Sequence, residues 1–317
     1  MKYLSASSGK LFENTSGYAY TNTRVRVMKS KLLEKEDYDR IMKMSVNELT
    51  RYLGETDYKK EIDELSTKYS GIELIENAMN KNLENSFKKI YGFAIQASHK
   101  QIELYFTKYD AFNILTLLRG KLSNENPENI VNNFVCVGKL KKEFLEKGAR
   151  ECKTFDEAID YLKETEYYSA IKENQKDFGR MEDAVYGKMY ENMLHNAEHD
   201  LREIILAEIE MKNKLNILRA KRSNYTQYEK IILPYGKKLK QLLKETEKME
   251  DKAKFTIEIK KQQINKGLKL VHRFKKNIGP LAGYFIAKEN EVRNLRLISR
   301  LKQSDFEEPM ILEQVVV

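Results

Sequence analysis

An all-α fold is predicted by three features of the chain. Only 4 of its 317 residues are proline and 14 are glycine, so few positions remove a helical hydrogen bond or force a kink. Lys, Glu, Leu, Ile and Asn are abundant, a composition that favours long helices. Apolar residues recur at spacings of three and four over long stretches, as a helix with one buried face requires. The scarcity of turn residues excludes an all-β sandwich or barrel, and the length allows two or three domains.

Taken in order, Met1 to Gly17 has Lys2 followed by Ser, Gly and Asn where a secretory leader needs an apolar core. No apolar run, including those around Phe134 to Val137 and Tyr284 to Ala287, approaches the roughly 20 residues that span a bilayer. A cytoplasmic chain that does not cross the membrane is expected. Short helices come first. Ser45 with Glu48 and Thr154 with Glu157 form capping boxes, each eight residues before a leucine. In such a box a hydroxyl and a carboxylate satisfy two orphan amides. Thr56, Thr165 and Thr246, each followed by Asp or Glu, are expected to N-cap the helix that follows. Long helices come next. Ile72, Ile75, Met79, Leu83, Phe87, Ile90, Ala94 and Ala97 form one stripe, predicted as a single long amphipathic helix. Comparable stripes run from Phe178 through Leu194 and Leu201 to Leu218, and from Phe255 to Phe274, before Asn277 to Gly279 and Pro280 break the last.

An internal repeat organises these elements. Asp110-x-x-Asn113-x-x-x-Leu117-x-Arg119-x-Lys121 recurs at identical spacing as Glu210, Asn213, Ile217, Arg219 and Lys221, and again as Glu291, Asn294, Ile298, Arg300 and Lys302. A looser copy opens the chain at Asn22, Lys29 and Lys31. A second motif interleaves: Leu53-x-Glu55-Thr56-Asp57, Leu162-x-Glu164-Thr165-Glu166 and Leu243-x-Glu245-Thr246-Glu247. From basic motif to this leucine the distance is 24 residues in the first and third units and 43 in the second. The second unit thus carries a 19-residue insertion, expected between Ser123 and Lys153, where Asn124, Asn126, Pro127 and Asn129 mark a loop. The expected division is an N-terminal extension 1–17, helical repeats 18–121, 122–221 and 222–302, and a tail 303–317. Such an arrangement suits three similar units around a pseudo-threefold axis. The tail is unusually apolar at Met310 to Leu312 and Val315 to Val317.

On a helix the motif's acid and asparagine lie about 60° apart and the lysine returns to within about 20° of the acid, while the arginine points roughly opposite. Two readings of that polar face stand side by side. It presents one surface three times to a partner docked on the axis, or the asparagines satisfy backbone groups of a neighbouring turn while Arg and Lys cover helix C-termini.

Chemistry-bearing patterns are sparse. His195-Asn-Ala-Glu198-His199 matches HxxEH, yet its surroundings read as an ordinary amphipathic helix with no third zinc ligand. Neither a metal nor a cofactor is expected. Cys136 and Cys152 are separated by fifteen residues, which suits reduced, buried thiols. No phosphate-binding loop, dinucleotide fingerprint or nucleophile elbow is present, so no catalytic residue is assigned. Between Tyr228 and Lys302 there are 20 Lys/Arg against 8 Asp/Glu, leaving 37 against 40 elsewhere. That block could meet nucleic acid, anionic lipid or an acidic protein surface. No aromatic platform, zinc module or helix-turn-helix accompanies it, and a basic helical nucleic-acid-binding protein is kept as the alternative reading.

Three segments together resemble a known family. Tyr18 to Leu33, Asp110 to Leu122 and Gly283 to Ile298, in this order, are similar to the C subunits of the archaeal and bacterial A/V-type ATP synthases, relatives of the d subunits of eukaryotic vacuolar ATPases. The likeness runs from about Tyr18 to Lys302. It implies a funnel of three similar helical domains on the cytoplasmic face of the cell membrane. It further implies a non-catalytic rotor component that joins the central-stalk proteins to the membrane rotor ring and meets the membrane surface only indirectly. ATP synthesis or hydrolysis would then be coupled to proton or sodium transport, with no cofactor and no nucleic acid. Within that picture, Lys29, Lys31, Arg119, Lys121, Arg219, Lys221, Arg300 and Lys302 are the expected partner contacts, and Asn113, Asn213 and Asn294 the residues that hold each repeat.

Overall fold

The computed structural model describes residues 6–247, 277–303, 315 and 316, with the isolated positions 258, 261, 262 and 265. Among the described residues every regular element is helical, as composition and spacing predict. The chain divides into two compact units, Met1–Lys100 with Lys260–Val317, and Gln101–Ile259.

The first unit holds α1 (Ala6–Lys29), α2 (Lys35–Lys43), α3 (Val46–Leu53), α4 (Lys59–Leu65), α5 (Gly71–Phe93), the start of α6 (Gln96–Leu122) and, from the other end of the sequence, α14 (Gly279–Gln303). Helix α14 packs on α1 and α5, and α5 also receives α3 and α4. The edge of Phe285 meets Phe87 with ring centroids 4.9 Å apart, and Ile75, Met79, Ile90, Leu281, Leu295 and Ile298 are buried with them. Each such side chain contributes about 1.5–3 kcal/mol on leaving water. Gly279 and Pro280 form the first turn of α14, where a missing amide costs nothing, so the expected break is also a helix start.

The second unit holds the rest of α6, then α7 (Pro127–Asn132), α8 (Lys142–Glu151), α9 (Phe155–Tyr161), α10 (Tyr168–Glu173), α11 (Phe178–Asn196), α12 (His199–Arg222) and α13 (Leu239–Glu247). Its core joins Ile114 and Leu117 of α6, Leu145 and Ala149 of α8, Ile159 of α9, Met181 and Val185 of α11, and Ile205 and Ile209 of α12.

Four local expectations need correction. The stripe from Ile72 to Ala97 is two helices: Ala94 is extended (φ −67°, ψ 145°), and Ser98 Oγ closes the turn by donating to the Ile95 carbonyl at 2.6 Å. The stripe from Phe178 to Leu218 breaks likewise at Ala197 (φ −74°, ψ 135°), where the Glu198 amide donates to Gln101 Oε1 at 3.0 Å. Apolar periodicity survives a two-residue break, which is why each stripe reads as continuous. Thr56 and Thr165 do not N-cap. The next helices are preceded by Tyr58 and Tyr167, neither with a side-chain cap, while the threonine hydroxyls donate back to the carbonyls of Leu53 and Leu162, each at 2.7 Å. Thr246 does the same to Leu243 at 2.9 Å. In the insertion, the cluster Asn124 to Asn129 is a helix entry: Asn126 caps α7 by accepting from the Glu128 amide, and Pro127 opens it.

The first capping box is complete and the second is half formed. Ser45 accepts from the Glu48 amide and donates its own amide to Glu48 at 2.8 Å. Thr154 accepts from the Glu157 amide at 3.2 Å, and Glu157 reaches one residue further back, to the Lys153 amide. Cys136 and Cys152 are both buried thiols, and burial pushes the Cys152 thiol up. The apolar residues of the third stripe, Phe255 to Phe274, lie outside the described residues.

Candidate functional site

The repeated motif builds one piece of architecture three times. Asn113 on α6 donates Nδ2–H to the Val135 carbonyl and accepts the Val135 amide on Oδ1, both at 2.9 Å. Asn213 on α12 holds Leu233 in the same way, at 3.1 and 2.7 Å. Asn294 on α14 holds Val316, at 2.7 and 3.3 Å. In each case the clamped residue follows its asparagine by 20 to 22 positions. An asparagine side chain is itself an amide, so it pairs with one peptide unit as a neighbouring strand would. All three asparagines are buried, where an unpaired amide would be costly.

Each motif lysine ties down the end of another helix. Lys121 Nζ donates to the Ala149 carbonyl in the last turn of α8 at 2.5 Å. Lys221 donates to the Thr246 carbonyl on α13 at 3.1 Å, and Lys302 to the Met42 carbonyl on α2 at 2.6 Å. A cation suits the exposed carbonyls and negative dipole end there. Among the described residues the third copy has no α-helix matching α2 or α8 between its motif and its Leu-x-Glu-Thr helix, and Lys221 reaches that helix directly.

Each motif acid receives groups from another part of the chain. Asp110 accepts the amides of Lys139 and Leu140, each at 2.9 Å. Burial pushes its carboxyl up, and these two N–H groups act against the shift. Glu291 accepts the Leu33 amide at 2.6 Å through Oε2, while its Oε1 accepts from the Tyr58 hydroxyl at 2.6 Å and from Lys288 at 2.7 Å. Glu210 pairs instead with Lys237 at 2.9 Å and Lys214 at 3.4 Å, and both lysines also reach Glu245. Tyr167 stands where Tyr58 stands, after Leu-x-Glu-Thr-acid, but its buried hydroxyl has no hydrogen-bond partner among the described residues.

Acid, asparagine and lysine therefore share an inward face, and the arginine faces out, as the helical wheel dictates. Arg119 is exposed and pairs with Glu182 at 3.4 Å. Arg300 is exposed and pairs with Glu76. Arg219 is exposed. Lys29 is exposed, and Lys31 pairs with Asp57 at 3.2 Å on the surface. In the opening copy Asn22 bonds to the Asn277 carbonyl at 2.9 Å.

A second repeat is not evident from the sequence. Val135-x-x-Gly138-Lys139 and Leu233-x-x-Gly236-Lys237 are the two clamped loops, both closing onto the motif acid. Their signal is short and lies outside the helical motifs. His195 lies in the last turn of α11 and His199 begins α12, so the two imidazoles are not stacked on one helix face. Among the described residues no cluster of three potential metal ligands occurs. The arrangement fixes backbone to backbone.

The family profile described as ATP synthase (C/AC39) subunit matches residues 21–314. The chain belongs to this family. Within the family, the C subunit of the A-type ATP synthase of Methanosarcina acetivorans is 33% identical, over 99% of this chain and 96% of that protein. Its equivalent in Methanococcoides burtonii is 30% identical over 100% and 99%, and that of Archaeoglobus fulgidus 30% over 96% and 97%. As a family member the chain is an ATP synthase subunit, and no helix among its described residues is long and apolar enough to cross a membrane.

Proposed function

We propose that this chain is the non-catalytic central-rotor component that joins the central stalk of an A/V-type ATP synthase to its membrane rotor ring. It would lie peripherally on the cytoplasmic side of the membrane, so that ATP synthesis or hydrolysis is coupled to proton or sodium transport. The observation that carries this reading is the clamp built three times on α6, α12 and α14, with the last copy completed by Leu33 and Met42 from the start of the sequence. A body whose last repeat is closed by its first elements suits three helical units, 18–121, 122–221 and 222–302, set around an axis on which a shaft can seat. Torque transmission needs a stiff body, and paired amides and capped helix ends supply stiffness without any catalytic group.

Partner contacts fall to the outward members of the motif. Lys121, Lys221 and Lys302 donate to internal carbonyls, which leaves Arg119, Arg219, Arg300, Lys29 and Lys31 to face ring or stalk. Membranes stripped of this protein should hydrolyse ATP without pumping ions and regain pumping when the chain is added back. Restored chain with no restored pumping would count against the reading. Reversing charge at two of the three arginines should lower the ions moved per ATP. An unchanged ratio would reject those contacts and leave the adaptor role standing.

A further inference from the structure

The clamp on α14 differs from the other two in what it must hold. Val135 and Leu233 sit in loops that run on directly to the residues bonded to the motif acid, Lys139 and Leu140 in one and Lys237 in the other. At α14 that loop is in two pieces: the clamped residue is Val316, while the amide on Glu291 belongs to Leu33. Helix α14 compensates with groups that the other copies lack. Asn290 donates a second hydrogen bond to the Val316 carbonyl at 2.7 Å. Arg293 donates to Asn290 Oδ1 at 3.0 Å and to Asn294 Oδ1 at 2.9 Å. Both side-chain amides are thereby turned so that their N–H groups face the peptide. The positions matching Asn290 are Tyr109 and Ile209, and those matching Arg293 are Phe112 and Lys212. Val315 and Val316 are buried.

We propose that the face of α14 bearing Asn290, Arg293 and Asn294 is a binding site for an extended apolar peptide, with the chain's own Val315–Val316 segment as its occupant. Two amides aimed at one carbonyl and a returned backbone N–H recognise main chain, and the buried valines supply the apolar requirement. The site acts as a latch: its occupant is held by non-covalent bonds at a place where the homologous loops are held by covalent continuity. This inference does not depend on the rotor reading.

The test uses a chain lacking residues 304–317 and a fluorescently labelled peptide of that sequence. Saturable binding to the shortened chain, at least tenfold weaker binding to the intact chain whose own segment competes, and about tenfold weakening by Asn290→Ala are expected, tenfold being about 1.4 kcal/mol. A folded shortened chain that ignores the peptide, or equal binding to both chains, overturns the proposal. If the shortened chain does not fold, amide exchange at Val316 in the intact protein decides. Protection that falls about tenfold in Asn290→Ala supports the latch, and an unprotected amide or one indifferent to the substitution overturns it.

Discussion

Lys302 Nζ donates to the Met42 carbonyl at 2.6 Å across 260 positions of sequence. The contact repeats, between the two ends of the chain, what Lys121 does to Ala149 within the second unit. A helical repeat that ended at α14 would leave one lysine without a helix end to cap and one helix end, that of α2, without its lysine.

The inward lysines should therefore matter to stability and the outward arginines should not. Lys121→Met is expected to cost about 1.5–3 kcal/mol, the range for a hydrogen bond to a charged group. Arg119→Met should stay within about 0.5 kcal/mol, as exposed ion pairs usually do. Urea unfolding followed by circular dichroism measures both, and similar losses for the two would contradict the assignment of faces.

Removing a clamp orphans a buried peptide unit. Asn213→Ala should lower stability by about 2–4 kcal/mol, since two bonds to Leu233 are lost together. Asn213→Asp removes the amide donor and puts a carboxyl at a fully buried site facing a carbonyl, so it should also lower stability. Amide exchange at Leu233 would report the loss directly and should accelerate in both variants.

Gly138 is held by a close approach. A methyl group there would collide with the Asp110 carboxylate, which must stay to accept the Lys139 and Leu140 amides. Gly138→Ala is expected to destabilise by about 1–3 kcal/mol. Gly92, inside α5 with open space around its Cβ position, should gain up to about 1 kcal/mol on the same change. Thermal melts of the two variants should move in opposite directions.

Lys212 gives a pH signature. Its amine lies 2.9 Å from the Tyr186 ring centroid, and burial lowers it from 10.5 to about 7, with Glu182 and Asp183 acting against the shift and Arg219 adding to it. The folded value lies below the unfolded one, so the folded chain binds fewer protons between about 7 and 10.5. This group's contribution to stability must then rise with pH across that window. Melting temperature followed from about pH 7 to about pH 10 should climb more steeply in the native chain than in Lys212→Met; parallel curves would disprove the shift.

How much of this is legible in the sequence follows from what each signal encodes. Helix class, the hydroxyl caps at Ser45 and Thr154 and the repeated motif are local patterns, and local patterns survive without coordinates. The wheel already separates the inward acid, asparagine and lysine from the outward arginine, but it does not say which face meets protein and which meets water. That needs the partner, and the partners of Asn294 and Lys302 are Val316 and Met42, residues distant in sequence or confined to a short segment. The helix breaks at Ala94 and Ala197 are hidden because two non-helical residues hardly disturb a stripe of period 3.6. The apolar Val315 and Val316, unexplained as a tail, make sense once Val316 is seen in the clamp.

The central claim, that this chain seats a stalk on a ring, is tested most directly by a tagged chain recovered from solubilised membranes. Ring proteins and central-stalk proteins should come down with it in the same fraction, in a ratio that does not change on dilution. Recovery of the chain with neither set, or with nucleic acid in their place, would contradict it.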